Sequence, residues 1–281
     1  MTRGIERWLI NGIRSDALPA DDRGLAYGDG LFETMAVRAG KCRFIDFHLE
    51  RLTSSCLRLG IPFEVDDSLR AEIAEFLEGE DHGTLKLIVT RGQGPRGYTP
   101  PNPAWPTRLL GYSATAPTCF PEMGVRVRYC QSLIGRNPGF AGMKTLNRLE
   151  QVMARAEWEH EPVEYDEGLM LNDRDEVVCG TMSNLFLVHA DGLYTPLLDE
   201  SGVAGIMRSQ IINIASDMHI ELIETSVSKD DIRTAEGIFL TNSLIGLWPV
   251  RELAGQQYSI PPLIDQIRSA LVMLGVQECQ R

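Results

Sequence analysis

Leu49, Leu52, Cys56 and Leu59 recur at 3-4-3 spacing, which places them on one apolar helix face and predicts a helix over 48–59. Residues 84–90 instead alternate between apolar and polar, the period of a strand with one buried face. Comparable runs predict strands at 31–37, 108–114, 125–129, 168–171, 176–179, 184–189, 221–227 and 237–241. Trp8-Leu9-Ile10 before Asn11-Gly12 reads as a short hairpin, because Asn-Gly accepts the positive φ of a tight turn. Further helices are expected at 68–77, capped by Asp66 or Asp67, and at 206–218 and 263–274. A helix at 145–160 is expected to bury Leu146, Leu149, Met153 and Ala156.

Strands and helices mix without strict alternation, which predicts an α+β fold rather than a doubly wound sheet. A chain of 281 residues is long for one core, so two domains are expected. Proline-rich breaks at 100–106 and 117–121 suggest a small N-terminal domain over 1–116 and a linker over 117–124. A larger C-terminal domain over 125–281 would then carry the lysine discussed below.

Composition narrows the function classes. With 43% apolar and 23% charged residues the chain can bury a sizeable core. A formal net charge of −12 argues against nucleic acid and anionic membranes as partners, while local arginines leave room for a small acidic substrate. The six cysteines form no CxxC pair and the histidines are dispersed, so neither a disulfide framework nor a metal site is expected. Nothing resembles a signal peptide or a membrane span, and a cytoplasmic protein is expected.

Chemistry concentrates in the stretch Gly135-Arg136-Asn137-Pro138-Gly139-Phe140-Ala141-Gly142-Met143-Lys144-Thr145. It sets a lysine between a glycine-rich loop and the expected helix, where the positive helix end disfavours an ammonium. A lysine there suits chemistry that needs a neutral amine, such as Schiff-base formation; the spacing alone also fits a solvated loop lysine. Three features could hold a phosphate. Arg51 lies off the apolar line of its helix and can donate a forked pair of hydrogen bonds, or simply be solvated. Gly202-Val203-Ala204-Gly205 runs into Ile206-Met207, whose backbone N–H groups would form an anion site at a helix start. Thr241-Asn242-Ser243 follows a strand and can add side-chain donors or close a turn. Together with Lys144 they describe a place for pyridoxal 5'-phosphate.

The chain also resembles the fold-type IV pyridoxal-phosphate enzymes, the D-amino-acid aminotransferase-like fold. The resemblance runs through Asp22-Arg23-Gly24-Leu25-Ala26-Tyr27-Gly28-Asp29-Gly30-Leu31-Phe32-Glu33-Thr34 and His48-Leu49-Glu50-Arg51-Leu52. It continues through the Lys144 segment, Ser183-Asn184-Leu185-Phe186, Gly205-Ile206-Met207-Arg208 and Thr241-Asn242-Ser243 to Trp248-Pro249-Val250. Within that family, Arg91-Gly92-Gln93-Gly94-Pro95-Arg96-Gly97-Tyr98 and the stretch from Gly135 to Val152 look most like aminodeoxychorismate lyases. Those enzymes split 4-amino-4-deoxychorismate into 4-aminobenzoate and pyruvate; aminotransferases of D- or branched-chain amino acids share the scaffold.

The resemblance implies two domains with the cofactor between them, and a homodimer whose loops reach across subunits. It implies that Lys144 carries the imine, that Arg51 binds the phosphate with the N–H groups of Ile206 and Met207 and the Ser243 side chain, and that Tyr27 and Phe32 line the substrate pocket. Arg91, Arg96, Arg108 and Arg136 are candidates for the substrate's carboxylates. One position departs from the pattern: Cys179 stands where the family usually places a glutamate against the pyridine nitrogen. A thiol is a poorer partner for a pyridinium, which suits an aromatising elimination better than transamination. Glu176 is offset by an odd number along the expected strand and should face away.

Overall fold

The computed structural model describes residues 7–159 and 164–280. They fall into two compact units: one holds the chain up to Pro117 together with Met143–Asn147, the other Thr118–Gly142 and the chain from Arg148 onward.

The first unit is an antiparallel sheet backed by two helices. Its elements are β1 (Arg7–Ile10), β2 (Ile13–Arg14), α1 (Arg23–Tyr27), β3 (Gly30–Arg38), β4 (Lys41–Cys42), α2 (Ile45–Leu59), α3 (Asp67–Phe76), β5 (His82–Thr90) and β6 (Thr107–Ser113). The strands lie in the order β2-β1-β6-β5-β3-β4. Leu31, Met35 and Val37 of β3 and Leu85, Leu87 and Val89 of β5 bury one sheet face against Leu49, Leu52 and Cys56 of α2 and Leu69 and Ile73 of α3. The expected apolar line of α2 is thus its core face, and Asp66 caps α3 by accepting from the Leu69 N–H at 2.9 Å.

The second unit contains β7 (Val125–Tyr129), α4 (Leu149–Ala156), β8 (Glu167–Leu171), β9 (Val177–Gly180), β10 (Asn184–His189), β11 (Gly192–Pro196), α5 (Ile206–Asp217), β12 (Leu222–Thr225), α6 (Lys229–Thr234), β13 (Gly237–Asn242), β14 (Gly246–Leu253), β15 (Gln256–Gln257) and α7 (Pro262–Met273). Eight strands run in the order β12-β11-β10-β13-β14-β7-β8-β9, and β15 pairs with β14. Among the described residues no helix is long and apolar enough to cross a membrane.

Three expectations are corrected. The helix expected over 145–160 begins only at Leu149, and His160 lies outside the described residues. The segment before it pairs with β3 instead: Leu31 and Thr145 form an antiparallel bridge, and the Leu146 N–H donates to Gly30 O at 3.0 Å. Those bonds place Met143–Asn147, and so Lys144, in the first unit rather than with the C-terminal part of the chain. The apolar face of α4 is also not buried within the chain. Leu149, Val152 and Met153 are 73%, 60% and 57% exposed, while Ala154 is the buried residue of the helix.

Candidate active site

In the first unit the site is built on β3. The Phe32 N–H donates to Lys144 O at 3.0 Å, and Lys144 Nζ stands 4.4 Å from the centroid of the Phe32 ring. Lys144 is therefore held by strand pairing, and the helix dipole has no part in placing it. Gly30 permits the close approach: a Cβ there would lie 2.6 Å from Val89 O and 2.8 Å from Leu146 Cδ1.

One position along, strand alternation turns Glu33 into the core, where it is 1% exposed. It accepts from Arg51 Nε at 2.8 Å, from Arg51 Nη2, and from His48 Nδ1 at 2.6 Å. Burial pushes the Glu33 carboxyl up, but the His48 hydrogen bond and the Arg51 charge outweigh it, and its pKa lies below the ordinary value. Burial, reinforced by the Arg51 and Lys144 charges, lowers His48 below its ordinary value against the pull of Glu33. A neutral His48 that donates through Nδ1 presents an acceptor at Nε2, and that buried nitrogen has no hydrogen-bond partner among the described residues. Arg51 is thus clamped by a buried carboxylate rather than solvated, and the forked pair of hydrogen bonds expected for a phosphate is made to Glu33 instead. Glu33 and His48 were not among the expected site residues. Their signal was a carboxylate at a core position between Leu31 and Met35, with a histidine one helical turn before Arg51.

The four candidate arginines separate clearly. Arg91 is buried and donates from Nε and Nη2 to Asp29 at 2.8 and 3.0 Å, and from Nη1 and Nη2 to the carbonyls of Gly60 and Leu59. Every nitrogen of its guanidinium is engaged by the protein, which corrects its assignment to substrate. Replacing Arg91 with Met should lower stability by roughly 1–3 kcal/mol, because the partly buried Asp29 carboxylate loses one of its two arginine partners. Denaturant titration measures that loss, and substrate affinity per folded molecule should stay unchanged. Arg108 pairs with Glu72, and Arg136 places Nε and Nη2 on Asp173 and Nη1 on Glu200 at 3.1 Å. Both are likewise engaged by carboxylates. Arg96 is exposed and has no polar partner among the described residues. Its loop is fastened by Arg23, which donates to the Gly97 and Tyr98 carbonyls, and by Tyr27, whose hydroxyl accepts the Gly97 N–H at 3.0 Å.

In the second unit, Gly205 stands immediately before α5 with no side-chain cap on the helix. The N–H groups of Ile206 and Met207 open the first turn, where no intrahelical acceptor exists. Asn184 fixes this entry: its Nδ2 donates to Val203 O at 2.9 Å, and a Cβ at position 205 would meet its Oδ1 at 2.0 Å. Asn184 also sits directly opposite Thr241 in the β10–β13 ladder, so the head of α5 and the end of β13 share one residue. The resemblance had quoted Asn184 without giving it a role. Asn242 uses its carboxamide on the protein, donating to Met182 O and accepting from the N–H groups of Leu244 and Ile245. It shapes the turn that presents Ser243 rather than offering a donor of its own.

Cys179 is buried on β9 opposite Met170, and burial pushes its thiol up to about 12, so it is neutral at physiological pH. Arg148 and Glu167 are close enough to it to interact electrostatically. Glu176 precedes β9 and accepts from Asn172 Nδ2 at 2.7 Å, so it does not substitute for a carboxylate at position 179. The buried Glu167 holds the 181–183 turn by accepting from the N–H groups of Thr181 and Met182 and from the Thr181 and Ser183 hydroxyls.

A family model described as amino-transferase class IV matches residues 30–253, a range that contains Glu33, His48, Arg51, Lys144, Cys179, Gly205 and Ser243. The chain belongs to the class IV aminotransferase family. Within that family it is 32% identical to an aminodeoxychorismate lyase of Vibrio harveyi, over 89% of this chain and 93% of the relative. It is 31% identical to a putative branched-chain-amino-acid aminotransferase of Methanocaldococcus jannaschii, over 84% and 82%. Among solved structures it is similar to a 4-amino-4-deoxychorismate lyase from Pseudomonas aeruginosa, with a TM-score of 0.88 and 43% identity over 94% of this chain and 97% of that one. The α+β expectation and the fold-type IV resemblance agree with this class IV membership.

Proposed function

We propose that this class IV chain is a lyase that splits 4-amino-4-deoxychorismate into 4-aminobenzoate and pyruvate, using pyridoxal 5'-phosphate. The observation that carries the reading is the amine of Lys144, strand-held on the Phe32 ring beside the Glu33–His48–Arg51 cluster. It stands in a chain whose likeness to two lyases covers about nine-tenths of its length.

The residues fit the cofactor's chemistry. An aldehyde needs an amine, which is Lys144; a phosphate needs cations and free N–H groups, supplied by Arg51, Ile206, Met207 and the Ser243 hydroxyl, with Gly205 and Asn242 shaping their approach. Cys179 takes the ring-nitrogen position, as a neutral thiol. When bound, the cofactor would supply an electron sink for the C–H bond broken at the carbon that carries nitrogen. Lys144 Nζ, as a neutral amine, would take the proton from that carbon and give a proton to the enolpyruvate oxygen as its bond to the neighbouring ring carbon breaks and the ring becomes aromatic. Tyr27 and Phe32 flank the substrate, and Arg96 is the arginine available to one of its carboxylates. The enzyme acts as a cytoplasmic homodimer in the supply of 4-aminobenzoate for folate, and the exposed Leu149–Met153 face of α4 is apolar surface that a second copy would cover.

The second reading is an aminotransferase, favoured by the Methanocaldococcus jannaschii relative and disfavoured by Cys179. One assay separates them. Supplied with chorismate, glutamine and a chorismate-aminating enzyme, the protein should yield 4-aminobenzoate and pyruvate in equal amounts. Absence of both, with amino transfer from D- or branched-chain amino acids to a keto acid, would overturn the lyase reading.

A further inference from the structure

The sheet of the first unit carries a lysine that no role above uses. Lys86 lies in β5 opposite Thr34 of β3 and Gly111 of β6. Alternation puts it on the same side as Phe32 and Thr34, on the face turned away from Leu85 and Leu87 and their helices. Its Nζ stands 5.0 Å from the centroid of the Phe32 ring, the ring that Lys144 Nζ approaches at 4.4 Å. Two lysine side chains therefore share one aromatic platform, although only one is needed to hold an aldehyde.

Lys86 is half-buried, and no carboxylate pairs with it among the described residues. Burial lowers its pKa, the mark of a cation partly stripped of water without a counter-ion. By contrast Arg91, Arg108 and Arg136 all have carboxylates against them. Strand neighbours leave Lys86 little else to bind: Thr34 and Gly111 lie opposite, and the Trp8 ring covers Gly111 so closely that a Cβ there would meet it at 2.6 Å. A partly desolvated ammonium gains most from an incoming anion, because the carboxylate restores the interaction that burial removed.

We propose that Lys86 anchors the ring carboxylate of the substrate. The assignment rests on the lyase reading, and the shape of that substrate supports it. Its amine and its ring carboxylate stand at opposite ends of a six-membered ring, so when Lys144 meets the amine, the second cation on the Phe32 ring is left for the far end. An α-amino acid carries its carboxylate on the very carbon that bears nitrogen, and has no far carboxylate to offer a second cation. Lys86 is thus a specificity-determining residue that favours the cyclic substrate.

The test uses the holoenzyme and its Lys86→Met and Lys86→Arg variants, with 4-aminobenzoate and aniline as probes that differ only in the carboxylate. Calorimetry should show 4-aminobenzoate binding weakened roughly 10- to 100-fold in Lys86→Met, the loss of one charged hydrogen bond. Aniline binding and the visible spectrum of the holoenzyme should not change, and Lys86→Arg should recover most of the affinity. In turnover, KM for the substrate should rise by a similar factor, with a smaller change in kcat. Unchanged 4-aminobenzoate affinity in Lys86→Met, or equal weakening of both probes, would overturn the anchor while leaving the lyase reading in place. A wild-type enzyme that forms no 4-aminobenzoate would overturn both.

Discussion

Replacing Lys144 with Ala should remove the visible absorbance of the bound cofactor and reduce product formation by at least about a thousandfold, since in the proposed role one amine is both covalent attachment and proton carrier. The two losses should appear in a protein that is still folded. Three contacts that place this segment come from its backbone: Lys144 O accepts from Phe32, Leu146 N–H donates to Gly30, and Thr145 bridges Leu31. An alanine keeps all three. Secondary structure by circular dichroism and the denaturation midpoint should therefore stay close to wild type, apart from stability that the cofactor itself adds by mass action. Borohydride reduction should trap the cofactor on a peptide containing Lys144 in the wild type and on none in the variant. Added methylamine should restore part of the activity of the variant if the missing element is a base. A variant that keeps the absorbance, or more than about a tenth of the activity, would remove Lys144 from the chemistry.

What could be read in the chain beforehand follows from the range of each interaction. The apolar line of α2 and the alternation of β5 are local, and both stand where periodicity put them. The lysine segment failed for the opposite reason. Leu146 and Leu149 have helical spacing, but pairing of Met143–Asn147 with β3 removes the first turns of the expected helix. Strand β14 was missed because Pro249 lies in its middle, yet it pairs with Phe239 across the ladder to β13. Among the site residues, Lys144 and the glycine-bounded start of α5 were visible from residue type and spacing. The engagement of Arg91 by Asp29, or of Arg136 by Asp173 and Glu200, was not, since it depends on carboxylates far away in sequence. An arginine in a glycine-rich loop reads the same whether it awaits a substrate or is already bound to the protein.

The second large effect is expected at Glu33, the carboxylate that clamps Arg51, the arginine proposed to hold the cofactor phosphate. Removing one partner of a buried charge pair costs roughly 3–5 kcal/mol, and here Glu33 faces both Arg51 and His48. Glu33→Gln should therefore be destabilised by about that amount at pH 7, measured by denaturant titration. The pH dependence gives a separate readout. The Glu33 pKa is depressed below its ordinary 4.5, so its contribution is complete above that value and is lost as pH falls through the depressed one. His48 is depressed below 6.5, so the folded state also loses stability as pH falls below 6.5 and the unfolded chain takes up the proton first. Wild-type stability should accordingly decline below pH 6.5 and fall more steeply below 4.5. In Glu33→Gln the steeper lower limb should flatten while the loss attributable to His48 remains. Arg51 without its clamp recovers the rotamer freedom of a long side chain, so cofactor affinity measured by reconstitution of the apoprotein should drop roughly tenfold or more. Equal stability and an unaltered acid limb in the variant would show that Glu33 is not ionised in the folded protein, and the orientation of Arg51 would then need another cause.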